Sequence, residues 1–286
     1  MSNKVKNVIN ADWVEMGGIP LRQPLPNRLV NNIGPLLLIH HHKSTISEGS
    51  KPGDVGVGPH PHTGFAPVTF IFEGNVNHRD SRGHNSIVEA GGVQWMNAGK
   101  GIIHSERPSA EFAAKGGVQE IIQIWINSPA KFKQEQPKYF ALNKIDILVI
   151  EEDSLIIKVV AGNYNQIQGF SEAQSPMTIL EVHSKGKASH TFNFTKGFEH
   201  AIYNLDEAID AEGNTVNGSH LVIIDNDTTQ LTVNFDKPTR LLVFDMEAIN
   251  EPIATYGPFV MNTQSEIMQA MRDYQMGKMG ILIEEF

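Results

Sequence analysis

Two short words in this chain carry ligand chemistry, His60-Pro61-His62 and His104-Ser105-Glu106. Each sets two metal-ligating side chains at i and i+2. On an extended backbone alternate residues share a face, so each word points both of its ligands to one side. Two such strands facing each other bring three imidazoles and one carboxylate, those of His60, His62, His104 and Glu106, to a common centre. That donor set suits a redox-active or Lewis-acidic divalent ion, iron above all. It leaves coordination positions open for substrate or oxygen.

The elements that must hold these words are strands. Pro59 and Pro61 donate no ladder hydrogen bonds, so the first word belongs to an edge or to an irregular segment lining a cavity. The second word follows the Gly-rich turn Asn97-Ala98-Gly99-Lys100-Gly101. Around them β-rich runs alternate with turns: 68–72, 76–78, 87–89, 93–96, 102–106 and 118–126. Closely spaced strands with glycine turns predict a sandwich or small barrel. A polar stretch with room for a short helix follows at 129–142, and a second β-rich set then runs from 145 to 244. The pattern reads as a structural duplication with a boundary near residue 150. One further helix is expected near the end, where Thr263-Gln264-Ser265-Glu266 has capping-box form. Its apolar residues Ile267, Met268, Met271 and Tyr274 are set to pack on a β-domain.

The other candidates read as structural. His40, His41 and His42 are consecutive, alternate faces, and fit a polar strand end. His78, beside Arg79 and Asp80, and His84, in a turn, read as solvated hairpin residues. His183, His190, His200 and His220 are scattered without i, i+2 pairing, so the second half is expected to be metal-free. Phe65, Phe70, Phe72, Trp95 and Met96 are candidates for an apolar wall, although most read as core. The glycine pairs at 56–58 and 99–101 lack the flanks of a dinucleotide or phosphate loop, and no Gly-x-Ser-x-Gly elbow occurs.

Composition bounds the rest. With 286 residues the chain suits one large or two ordinary domains, and 40% hydrophobic residues are enough to bury a core. A net charge of −9 without a basic block argues against phosphate-led binding to nucleic acid or to an anionic membrane. The absence of cysteine excludes disulfides, thiolate zinc sites and cysteine nucleophiles. The first residues form no apolar signal segment, and no apolar run is long enough to span a bilayer, so a cytoplasmic location is expected.

The run HPHTGFAPVTFIFEGNVNHRDSRGHNSIVEAGGVQWMNAGKGIIHSE, from His60 to Glu106, closely resembles the pirin family of the cupin superfamily. WINSPAKFKQEQPKYF, from Trp125, is similar to that family's segment after the first barrel. NEPIATYGPFVMNTQSEIMQAMRDYQMGKMG, from Asn250, resembles its C-terminal signature and helix. The resemblance implies an all-β bicupin: two antiparallel β-barrels of jelly-roll type with a short C-terminal helix. Residues 1–148 would form the N-terminal cupin domain with the metal site. Residues 149–286 would form a metal-free C-terminal cupin domain together with the helix.

Family ligands carry over to His60, His62, His104 and Glu106, the four that spacing selects. The resemblance implies one divalent metal ion, Fe(II) first, with Ni, Mn, Cu, Co or Zn as alternatives. It also implies, for a bacterial member, quercetin 2,3-dioxygenase chemistry on a small aromatic, flavonol-like substrate and O2, with Glu106 as ligand and general base. The alternative reading is a non-enzymatic, metal- or redox-dependent regulatory protein that binds a protein partner. The chain departs from the family pattern at three places. Ala66 stands where a glutamate is usual, which leaves Glu106 as the only carboxylate candidate at the site. Ala90-Gly91-Gly92 replaces a Pro-Gly-Asp turn, and His40-His41-His42 replaces an acidic-aromatic strand end.

Overall fold

Alternation of apolar and polar residues builds strand after strand, and all of the named strand pairings that position the site are antiparallel. The computed structural model describes residues 4–285. It divides into two compact units, each assembled from two stretches of sequence. One holds the chain up to Leu38 together with Ile147–Ile249, and the other holds Ile39–Asp146 together with the chain from Asn250. Each unit is built on a pair of sheets, a jelly-roll type of arrangement. The hydrogen-bond ladders leave these sheets open and do not close them into continuous barrels.

In the first unit one sheet runs in the order Val5–Asn10, His220–Ile224, Glu199–Asn204, Thr239–Met246, Met177–Ser184, Leu155–Ala161 and Leu148–Glu152. A smaller sheet holds Ala188–Asn193, Gln230–Phe235, Ile209–Ala211 and Asn214–Val216. The inward faces are apolar: Ile157, Val182, Phe192, Ile202, Val222 and Phe235 belong to one buried cluster. Burial of side chains of this size supplies roughly 1.5–3 kcal/mol each relative to exposure, and it drives the sandwich together.

In the second unit one sheet runs Val57–His62, Ile102–Arg107, Asn75–Asp80, Asn85–Glu89. The other is part of a seven-stranded sheet, of which the strands that position the site run Lys138–Leu142, Val93–Asn97, Phe65–Glu73, Gly117–Asn127, Leu36–Ile46. The stretch 129–142 is more structural than its polarity suggests. It holds a single 3-10 turn, Ala130–Phe132, and the strand Lys138–Leu142. Between them the buried Lys133 Nζ donates to Gly64 O at 2.7 Å, Asn127 Oδ1 at 2.7 Å and Val260 O at 3.0 Å. The chain beside Gly64 is thereby fixed two residues beyond His62. Burial pushes this ammonium down to about 8, against the fields of Glu251 and Glu266.

The C-terminal helix forms as the sequence predicts, over Gln264–Gln275, with Thr263 and Glu266 closing a capping box. Of the expected packed face, Ile267 and Met271 lie against the core, and Met268 and Tyr274 do not. Ile267 and Ala270 are buried in a cluster with Phe259, Met261 and Met279, whereas Met268 is 57% exposed and Tyr274 41% exposed. The surface beneath takes the small Ala270 where the spacing suggests Met268. A second helix, Ala110–Lys115, carries no apolar period long enough to read from sequence. Its cap is Ser109, whose hydroxyl accepts from Phe112 N at 3.1 Å. Thr263→Ala is expected to lower stability by about 1 kcal/mol, because the Glu266 N–H loses its cap. The denaturant midpoint at unchanged slope reads this out.

Candidate metal centre

The prolines demand an edge strand, and Val57–His62 lies at the edge of its sheet. Its neighbour is Ile102–Arg107, in a register that sets His60 opposite His104 and His62 opposite Ile102. The two words are therefore lateral neighbours in one sheet, where the sequence reading placed them on facing strands. Directly paired residues share a face, so the three imidazoles still converge. The ladder slips between His104 and Glu106, which sets Glu106 opposite Val57.

Among the described residues, His60, His62 and His104 form the group whose ligand atoms all lie within 4.8 Å of one another. Their ring centroids are 4.4 Å apart for His60–His104, 4.7 Å for His60–His62 and 4.9 Å for His62–His104. His60 Nδ1 lies 2.8 Å from Gly58 O, which places a proton on Nδ1 and a lone pair on Nε2. That Nε2 is 3.0 Å from His62 Nε2. His104 Nε2 is buried with no hydrogen-bond partner. A lone pair set 3.0 Å from a second imidazole nitrogen, together with the partnerless buried nitrogens His62 Nδ1 and His104 Nε2, is what a divalent cation would satisfy, so the residues fit a metal.

The electrostatics agree. Burial first, then the neighbouring His60, holds His62 well below the usual histidine range. Burial, then His60, His62 and His78, does the same to His104. Neutral imidazoles are the metal-binding form.

Glu106 shares the inward face but is engaged by the opposite sheet. Its Oε1 accepts from Thr69 Oγ1 at 2.8 Å and its Oε2 from Gln123 Nε2 at 2.6 Å. Gln123 Oε1 accepts from Trp125 Nε1 at 3.1 Å. Trp125 meets Phe65 at 4.3 Å and His62 at 5.5 Å between ring centroids, and Phe65 meets His62 at 5.0 Å. Phe65, Phe70, Trp95 and Met96 are buried in the interior, and Phe72 is half-buried. Ala66 is also buried, paired with Ile126, and brings no carboxylate from that strand.

Thr69, Gln123 and Trp125 were not singled out from the sequence. The signal for the last two was present as alternation. Buried Ile122, Ile124 and Ile126 face one way along Gly117–Asn127, and half-buried Gln123 and Trp125 face the other.

His78 is 1% exposed and Asp80 3% exposed, so the reading of His78 as solvated is corrected, while His84 is exposed as expected. Asn75–Asp80 lies against Ile102–Arg107 with His104 opposite Asp80 and Glu106 opposite His78. The bonds they make run behind His104. Of the early cluster, His41 Nε2 meets Glu120 Oε1 at 3.0 Å while Lys43 holds Oε2 at 3.0 Å, and burial pushes His40 down to about 4. In the other unit His183, His190 and His200 each meet one carboxylate, that of Glu181, Glu152 and Asp245 respectively.

Two jelly-roll units, one of which gathers three imidazoles between its sheets, define a bicupin with a candidate metal site. The Pirin family model matches residues 18–126, and that of the Pirin C-terminal cupin domain matches residues 179–280. The chain belongs to the pirin family. It is 32% identical over 280 residues to a pirin-like protein of Solanum lycopersicum, covering 96% of this chain and 92% of that one. Human pirin is 29% identical over 280 residues, with the same coverage of 96% and 92%. Among solved structures, a quercetin 2,3-dioxygenase from Acinetobacter baumannii is 33% identical with a TM-score of 0.92, covering 98% of this chain and 99% of that one. No helix among the described residues is long and apolar enough to cross a membrane.

Proposed function

We propose that the chain binds one Fe(II) through His60, His62, His104 and Glu106 and acts as a dioxygenase of the quercetin 2,3-dioxygenase type. The observation that carries this reading is the convergence of three imidazoles within 4.8 Å. The similarity to the Acinetobacter baumannii enzyme supplies the reaction class. The same nitrogen and oxygen donors accept nickel, manganese, copper, cobalt or zinc, so metal analysis decides among them.

When bound, the ion supplies Lewis acidity toward a flavonol hydroxyl and an electron path to oxygen. The protein's residues do the rest. Each carboxylate oxygen can accept more than one bond, so Glu106 can keep Thr69 and Gln123 and still offer lone pairs to an ion or a substrate hydroxyl. Acting as general base, it takes the proton of a flavonol 3-hydroxyl. Thr69 and Gln123 donate to it throughout and so hold its anionic form in place. Half-buried Trp125, backed by the buried Phe65, offers aromatic surface beside His62 for a flat substrate. In the overall reaction both atoms of O2 enter the cleaved product, and one ring carbon leaves as carbon monoxide.

Anaerobic reconstitution with Fe(II), followed by admission of air, tests this. Quercetin loss is expected to match oxygen uptake and carbon monoxide release mole for mole. A metal-loaded wild type that leaves quercetin intact would sink the flavonol reading and favour a metal-dependent regulatory role.

A further inference from the structure

Behind His104 runs a chain of buried groups that the proposed reaction does not use. His104 Nδ1 lies 3.3 Å from His78 Nδ1, and His78 Nε2 lies 3.1 Å from Asp80 Oδ2. Asp80 Oδ2 also receives His84 Nδ1 at 2.7 Å. Its Oδ1 accepts from the backbone N–H of Arg82 at 2.9 Å and of His84 at 3.1 Å. The His78 ring stacks on Tyr139, 3.8 Å between centroids and 5° from parallel, which fixes its plane.

We propose that Asp80 and His78 form a positioning relay that sets the ring tautomer of His104 and so aims its Nε2 lone pair into the metal centre. The logic is one of donors and acceptors. Asp80, held by two backbone N–H groups, turns an acceptor toward His78 Nε2, so that nitrogen carries the proton. In the neutral ring the other nitrogen, Nδ1, is then an acceptor. It faces His104 Nδ1, which must therefore be the donor. The proton of His104 is thus on Nδ1, and its Nε2, buried and without a partner, is left as a lone pair. His60 reaches the same state more directly, through Gly58 O. Burial opposes ionisation of Asp80, but its hydrogen bonds from His78, His84 and two backbone groups bring it down to about 2, so the anchor is a carboxylate. Outer-shell partners of this kind orient metal ligands and set their tautomers.

The relay rests on the metal reading, and its test separates the two. Ring-nitrogen NMR of the metal-free wild type should find His104 protonated at Nδ1. Asp80→Asn should invert this. The amide oxygen can keep both backbone N–H bonds, which turns the NH2 toward His78 Nε2. His78 then donates from Nδ1, and His104 carries its proton on Nε2, where it blocks the metal. Fe(II) affinity by chelator competition should fall about 10- to 100-fold. His78→Phe keeps the stack on Tyr139 but removes the acceptor. It should bind Fe(II) more weakly and leave His104 in a mixture of tautomers. A wild-type His104 protonated on Nε2 would overturn the relay, and so would wild-type affinity in both variants. Failure of the wild type to bind Fe(II) at all would overturn the metal reading, while the tautomer in the metal-free protein would still judge the relay's hydrogen-bond order.

Discussion

His62→Ala is expected to leave the folded protein without retained Fe(II) after anaerobic loading and dialysis. His62 is the ligand that ties the cluster together, with its Nε2 3.0 Å from that of His60 and its ring within 4.9 Å of His104. Removing it leaves two imidazoles, His60 on the edge strand and His104 on the strand beside it. The loss should exceed the roughly 10- to 100-fold that an outer-shell change costs, because a coordinating atom itself is gone. The fold should survive. The ring is a buried polar group kept neutral by burial, and alanine removes its desolvation burden along with its contacts to Phe65 and Trp125. A folding midpoint measured beside the metal content separates the two effects. Iron retained at the wild-type level in a folded His62→Ala protein would show that the ligands lie elsewhere.

The cluster was legible because side-chain period in a strand is a local property. His60 and His62 must share a face wherever the strand goes, and the two prolines announce an edge. The same rule applies to His78 and Asp80, with Arg79 pointing the other way, and it would have found the relay. What hid it was composition: a run of charged residues before a turn reads as exposed, and only the neighbouring strand shows that one face is covered. Thr69 and Gln123 were out of reach for a different reason. They approach Glu106 from the opposite sheet, and no period in the sequence states which sheets face each other. Sequence patterning was equally silent about the partner of Val5–Asn10, which pairs with His220–Ile224 more than two hundred residues away. The burial of Ala270 in place of Met268 on the C-terminal helix belongs to the same class, since the surface beneath decides which neighbours of Ile267 are covered.

Glu106→Gln is expected to cut the turnover number for a flavonol by about 100- to 10,000-fold, the range that a general base contributes, while the three histidines keep most of the Fe(II). The glutamine separates basicity from shape because the local donors tolerate it in one orientation. Its amide oxygen can take the place of Oε2 against Gln123 Nε2. Its NH2 then faces Thr69 Oγ1, a hydroxyl able to accept. The reverse orientation sets two NH2 groups against each other. Relief would require Gln123 to turn over and give up its bond from Trp125 Nε1. Glu106→Ala has no such accommodation. It takes the acceptor from the buried Thr69 hydroxyl and leaves Gln123 Nε2 only its 3.2 Å bond to Thr69 Oγ1, at about 1–3 kcal/mol for an unsatisfied group, and should lower stability as well as turnover. The pair of variants thus distinguishes a chemical from a packing role. Turnover lost in both, with stability lost mainly in Glu106→Ala, is the signature of a base. A Glu106→Gln protein that turns over at the wild-type rate would remove Glu106 from the chemistry and leave the imidazole cluster as the whole of the site.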